Sequence, residues 1–289
     1  LRNRALTDTF EPGSTMKPFS IAAALEAGKV KVDTRIQTAP GRLTIGNRTI
    51  GDAHAHGMLT VEEIVSKSSN VGTAKIALEL PAQKLWDTYT GVGFGQAPRL
   101  DFPGAVTGRL RPAKTWRPIE QATMSYGHGV SVTLVQLARA YSVFANDGRL
   151  VPLTLLKTDT TAMPVRAISS DTALAMRKML EMAVGPEGTA PAARIPAYRV
   201  AGKTGTAYKI KNGQYVKEYV ASFVGFAPVS DPRIVVAVMI DEPAGAHYGG
   251  QVAAPVFAAI TASALRTLQV TPDAPLDQGR EMIASRSAP

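Results

Sequence analysis

Three short groups of residues, in one order along the chain, carry side chains able to move an acyl group. They are Ser14-Thr15-Met16-Lys17, Ser68-Ser69-Asn70 and Lys203-Thr204-Gly205-Thr206. Serine is a weak nucleophile at its ordinary pKa and needs an adjacent base. Ser14 and Lys17 are three apart, so on a helix they share a face. A lysine serves as that base when burial and a nearby cation push its pKa toward neutrality, and Lys203 is the natural second cation. The helix N-terminus also favours negative charge developing near Ser14. Ser68 and Asn70 fall in a turn between helices. If that turn is extended, both side chains face one cleft and Ser69 points elsewhere. On a strand, Thr204 and Thr206 share a face, and two hydroxyls beside an ammonium make a site for a carboxylate. Gly205 leaves room for a bound backbone to come close.

Each group has a plainer reading when taken alone. A Ser-x-x-Lys arises by chance roughly once in a chain of this length. Ser14, Ser68 and Asn70 all suit helix caps, and Lys203 suits an edge strand that must resist aggregation. The ordered set, each member in a fitting local context, outweighs those readings.

The elements that must position these groups can be read from breakers and periodicity. Pro12-Gly13 breaks the chain, and a helix is expected to begin near Ser14, run to Leu25 and stop at Gly28. Leu43–Ile45 and Arg48–Ile50 alternate around Gly46-Asn47 as a small hairpin. Thr60 and Glu63 form a capping box for a helix toward Val65. Further helices are expected from Asn70 to before Pro81, from Pro81 to Thr90, from Pro118 to Ser125, from Thr133 to Ala145 and from Asp171 to Val184, the last capped by Ser169-Ser170. Leu100 to Arg117, rich in Pro, Gly and Arg, reads as a long loop, as does Gly91 to Gly95. The period then changes. Arg199–Ala207, Tyr219–Pro228 and Arg233–Ile240 read as strands, the first two joined at Asn212-Gly213. Gln251 to Leu268 is a closing helix. Thr271 to Pro289 reads as a disordered tail. The pattern predicts an α+β domain over 1–270, an antiparallel sheet flanked by helices beside a mostly helical subdomain.

Composition narrows the function classes. The chain has 289 residues, 45% hydrophobic and 19% charged, with a net charge of +9 and no cysteine. Its length permits a sizeable core. The absence of cysteine excludes disulfides, thiolate metal sites and a cysteine nucleophile. The basic residues are scattered and lack an aromatic-studded stripe, which argues against nucleic acid. His54 and His56 near Asp52 suggest a metal, yet they sit in a loop without partners at helical spacing. The methionines at 176, 179 and 182 are expected in the core.

The three groups together resemble the penicillin-recognising serine enzymes, the penicillin-binding proteins and serine β-lactamases. Longer strings narrow the resemblance: Glu11–Phe19 (EPGSTMKPF), Lys67–Gly72 (KSSNVG) and Met124–Ala140 (MSYGHGVSVTLVQLARA) are similar to the transpeptidase domain of class B penicillin-binding proteins. Ser125-Tyr126-Gly127 and Tyr219–Pro228 are most like the division-specific, septal branch. The resemblance implies a D,D-transpeptidase of peptidoglycan, acylated by β-lactams, with no metal or organic cofactor. It casts Ser14 as nucleophile, Lys17 as base and Ser68 as proton relay. Asn70 then binds the substrate's backbone, and Lys203, Thr204, Gly205 and Thr206 bind the terminal carboxylate of a D-Ala-D-Ala stem peptide. The backbone N–H groups of Ser14 and Thr206 form the oxyanion hole. It further implies a septal glycosyltransferase and other division proteins as partners, and an inner-membrane protein whose catalytic domain lies in the periplasm, its anchor outside this chain. In that family the sheet includes strands before the nucleophile, where this chain has thirteen residues, so a shortened sheet is expected. A β-lactamase would need a carboxylate to activate the deacylating water, and no convincing Glu-x-x-x-Asn element stands in the corresponding region. A class D enzyme would place a hydrophobic residue at Asn70. A penicillin-sensing domain would share the same motifs.

Overall fold

Lys17–Glu26 (α1) is mostly apolar, with Lys17 through Ala24 all buried, and such a helix belongs in a core. Phe19 packs its ring against Phe94, Tyr141 and Phe144 at centroid distances of 5.2, 5.4 and 5.0 Å. Pro18 is the second residue of α1, where a missing N–H breaks no helix bond. The expected start near Ser14 is refined: a 3₁₀ turn, Gly13–Met16, comes first, and Lys17 opens the α-helix. The computed structural model in which these contacts are seen describes residues 2–100, 102–157 and 163–275.

Helices surround α1. Val61–Ser66 (α2) opens on the expected capping box, with Thr60 and Glu63 bonding each other's backbone N–H. Asn70–Leu78 (α3), Ala82–Gly91 (α4) and Pro118–Met124 (α5) follow. Leu134–Ala145 (α6) starts at Thr133, which forms a second capping box with Gln136. Ser170–Val184 (α7) is capped by Ser169. Met176 and Met179 are core residues as expected; Met182 instead lies on the outer face of α7, 40% exposed. Arg42–Ile45 (β1) and Arg48–Gly51 (β2) make the expected small hairpin. Between Leu100 and Arg117 the described chain holds one 3₁₀ turn, Ala113–Thr115, and a bridge from Arg109 to Ser131.

Ala201–Lys211 (β3), Gln214–Ala227 (β4) and Ile234–Asp241 (β5) form an antiparallel sheet of order β5-β4-β3. Strand alternation sorts β4 between two cores. Val224 and Phe226 join α6 and α7 on one side, while Phe223 and Ala227 join the C-terminal helix Ala254–Thr267 (α8) on the other. Phe223 meets Phe257 at 4.6 Å. β3 and β4 run on to meet at Asn212-Gly213, both with positive φ, as a tight hairpin requires. The extra residues make a polar arm that stands clear of the core, so hydrophobic alternation did not mark it. The closing helix is split: a turn at Gly249–Val252 precedes α8, whose second residue is Pro255.

The expected tail is anchored where it is described. Asp273 accepts from the Arg199 N–H (2.7 Å) and from the Ser230 N–H (3.0 Å) and hydroxyl (2.9 Å); residues 276–289 lie outside the described residues. Thr9–Phe10 pairs with Val132–Thr133 and not with the sheet. No helix among the described residues is long and apolar enough to cross a membrane.

Candidate active site

The Ser14 turn is wedged between two backbones. On one side the Gly13 N–H donates to the Gly127 carbonyl at 3.3 Å. Gly127 has φ +86°, and a Cβ there would lie 2.2 Å from the Gly13 oxygen. On the other side runs β3: a Cβ on Gly13 would lie 3.1 Å from the Thr206 carbonyl oxygen. Thr15 locks the turn by donating its hydroxyl to Pro12 O at 2.7 Å, and the buried Tyr141 hydroxyl donates to Thr15 O at 2.8 Å. The turn is fixed by backbone contacts, which suits a nucleophile that must not wander.

Gly205 also meets close packing from the protein itself. A Cβ there would lie 2.3 Å from Ser222 Oγ, 2.8 Å from Pro12 O and 3.0 Å from Thr15 Cγ2. The space beside Gly205 is filled by the protein's own nucleophile turn and the neighbouring strand, so the glycine lets β3 press against Ser14's turn.

Ser68 also departs from the extended turn read in the sequence. Its φ is +62°, a left-handed conformation that costs about 1 kcal/mol or more outside glycine. The twist delivers its hydroxyl between two lysines. Lys17 Nζ lies 3.0 Å from Ser68 Oγ and also donates to the Ser68 carbonyl. Lys203 Nζ lies 2.9 Å from the same hydroxyl and 3.3 Å from Thr204 Oγ1. Lys17, Ser68 and Lys203 thus converge from the start of α1, the α2–α3 turn and β3. Lys17 bonds Ser68 and leaves the half-buried Ser14 hydroxyl outside the network, an arrangement that tightens only when substrate binds in many enzymes.

Both lysines are fully buried. Burial first, and then the charge of Lys203, pulls the Lys17 ammonium well below its ordinary pKa, with the Asp52 charge opposing. Burial alone lowers Lys203 to about 7. A hydroxyl has one proton to give and two lone pairs. A neutral Lys17 can therefore take the Ser68 proton while Lys203 donates to the oxygen, giving a continuous path for protons.

Ser69 points away from the cleft and caps α3, accepting from Gly72 N at 2.9 Å. Its hydroxyl donates to Asp52 at 2.8 Å, and Asp52 also accepts from the Val71 N–H at 2.9 Å. Asp52 therefore pins the turn that carries Ser68, a part the sequence hid by placing it beside two histidines. Asn70 opens α3 and donates its side-chain amide to Gly51 O at 2.8 Å, which turns its Oδ1 to the remaining direction. Thr206 Oγ1 accepts from the Gly249 N–H at 3.1 Å, leaving its own proton to donate. Thr204 Oγ1 lies 3.2 Å from Thr189 Oγ1. His128, beside the site, is pushed down to about 4 by burial, with the Lys17 charge adding to the effect, and is neutral near pH 7.

Residues 1–262 match the family described as the penicillin binding protein transpeptidase domain. The chain is 44% identical over 277 residues to the probable peptidoglycan D,D-transpeptidase PenA of Neisseria gonorrhoeae, covering 95% of this chain and 47% of that protein. It is 41% identical over 276 residues to the peptidoglycan D,D-transpeptidase FtsI of Escherichia coli K12, again covering 95% and 47%. The chain spans about half the length of these curated relatives. The solved apo transpeptidase domain of Burkholderia pseudomallei penicillin-binding protein 3 superposes with a TM-score of 0.91 at 52% identity, covering 95% of this chain and 84% of that one.

Proposed function

The chain belongs to the penicillin-binding protein transpeptidase family, and from that membership we propose that it is a peptidoglycan D,D-transpeptidase acting through an ester on Ser14. The observation that carries the reading is the Ser68 hydroxyl held between two fully buried lysines beside the Ser14 turn.

In the proposed reaction, neutral Lys17 accepts the Ser14 proton as Oγ attacks the penultimate D-Ala carbonyl carbon. In this reading the oxyanion is met by the backbone N–H groups of Ser14 and Thr206, since fixed backbone donors of this kind stabilise developing charge at little reorganisation cost. The C–N bond breaks, and the Lys17 proton passes through Ser68 to the departing D-Ala amine. An amine of a second stem peptide then attacks the ester carbonyl. Its proton returns by the same path, the C–O bond breaks, and Ser14 is released with its proton. Asn70 accepts from the donor strand's backbone. Lys203, Thr204 and Thr206 hold the terminal carboxylate by charge-assisted bonds. β-Lactams enter as mimics of D-Ala-D-Ala. The septal strings and the FtsI relative favour a role in division, with the domain in the periplasm of a membrane-anchored protein, beside a septal glycosyltransferase and other division proteins.

Deacylation by water should be slow. The two carboxylates near the motifs are already engaged: Asp52 by Ser69 and the Val71 N–H, Glu11 by the Gly129 N–H and Tyr215. Nitrocefin should therefore give a burst equal to the enzyme present, followed by turnover well below one per minute, about 10³-fold or more under ordinary enzyme rates. Rapid sustained hydrolysis would point instead to a β-lactamase.

A further inference from the structure

Building on the transpeptidase reading, we infer that Glu11 and Tyr215 form a latch that fixes the far end of β3 over the Ser14 turn and so sets the rate of acylation. Glu11 stands three residues before Ser14 and is 8% exposed. Its carboxylate accepts from the Gly129 N–H at 2.6 Å and from the Tyr215 hydroxyl at 3.1 and 3.2 Å. Gly129 follows Gly127, whose carbonyl holds Gly13. One side chain thus ties together the nucleophile turn, the 124–130 stretch and the hairpin arm.

The arm needs such a tie. Tyr215 pairs with Ile210, four residues beyond Thr206 on β3. The ladder is irregular between Val216 and Tyr219, where β4 carries two extra residues, and bulges of this kind bend a strand and re-aim its side chains. Beyond it, Ile210 and Tyr215 are 47% and 53% exposed, so no core holds them. The arm's ion pairs are Lys209 with Asp241 and Glu242 and Lys211 with Glu218 and Glu242. They are at or near the surface, Asp241 also pairing with Arg4 at 3.0 Å, and none reaches residues 11–16. Surface pairs of that kind contribute little. Among the described residues, the Tyr215 hydroxyl makes the arm's only side-chain hydrogen bond to the segment that leads into the nucleophile turn. The His128 ring lies 6.0 Å from that of Tyr215 and 5.2 Å from that of Tyr126. Because β3 also carries Lys203 and Thr206, a shift of the arm is felt at the carboxylate site and the oxyanion N–H. Misplacement of about 1 Å at such groups costs orders of magnitude in rate.

Tyr215→Phe keeps the ring and removes only the hydroxyl. It should raise amide exchange over residues 207–216 about threefold or more, lower the first-order acylation constant about tenfold and leave the dissociation constant for penicillin within about twofold. Glu11→Gln should do the same to the rate, and the double variant should lose nothing further. Tyr208→Phe, which takes a hydroxyl from the same arm without touching Glu11, should change neither. Unchanged exchange in Tyr215→Phe, an unchanged acylation constant, or a loss confined to binding would overturn the latch. Failure of the unaltered protein to acylate would contradict the transpeptidase reading alone, because the exchange measurement reads the latch without any acylation.

Discussion

Replacing Lys17 with alanine is expected to slow penicillin acylation by about 10³-fold or more, the contribution of a positioned base. Lys17 is fully buried at the start of α1, 3.0 Å from Ser68 Oγ. Nothing about core stability favours an amine there, since burying one carries a penalty that a methionine of similar length avoids. Lys17→Met should therefore fold at least as stably as the unaltered protein and still fail to acylate. An inactive but less stable methionine variant would suggest that the lysine serves the fold. The pH dependence follows from the direction of the shift. Burial and the Lys203 charge hold Lys17 toward its neutral form, which is the form that accepts the Ser14 proton. Acylation should fall as pH drops and Lys17 gains its proton, and the two lysines titrate as a coupled pair, one of them near 7. Stopped-flow rates across pH, measured on both variants, check the prediction.

Gly127→Ala should cost at least about 3 kcal/mol and lower the melting temperature by about 5–10 °C, with acylation lost in the protein that remains folded. The φ of +86° strains any side chain, and the new Cβ would lie 2.2, 2.5 and 2.8 Å from the O, N and C of Gly13. Those are backbone atoms that cannot step aside, and they belong to the residue before the nucleophile. Gly28→Ala is the matched control. Its φ is also positive, +63°, but nothing lies within 4 Å of the added carbon, so it should cost only the conformational strain of about 1 kcal/mol and leave acylation intact. Equal effects of the two substitutions on acylation would show that contact with the Ser14 turn is irrelevant.

The comparison of these two glycines also marks where sequence reasoning stops. The order of the three motifs, the capping box at Thr60 and the Asn212-Gly213 hairpin were legible because each is a local signal of a few residues. Gly127 and Gly205 are explained only by what lies against them, Gly13 in one case and Ser222, Pro12 and Thr15 in the other. Those contacts join parts of the chain far apart in sequence. Ser68 was expected in an extended turn, whereas its backbone is left-handed and its hydroxyl lies between Lys17 and Lys203, which come from distant parts of the chain. Asp52 looked like a companion of His54 and His56, while its actual partners, Ser69 and the Val71 N–H, lie seventeen residues or more away. Glu11 entered only as a letter in a resembling string. Its partners Gly129 and Tyr215 come from two other segments, and no spacing rule links them.

The most direct test is to incubate the protein with a fluorescent penicillin and map the adduct by mass spectrometry, beside Ser14→Ala. The account predicts a long-lived ester on the peptide containing Ser14, at one per protein, and none on the alanine variant. An equally stable adduct on Ser14→Ala, or one mapped to another residue, would contradict it.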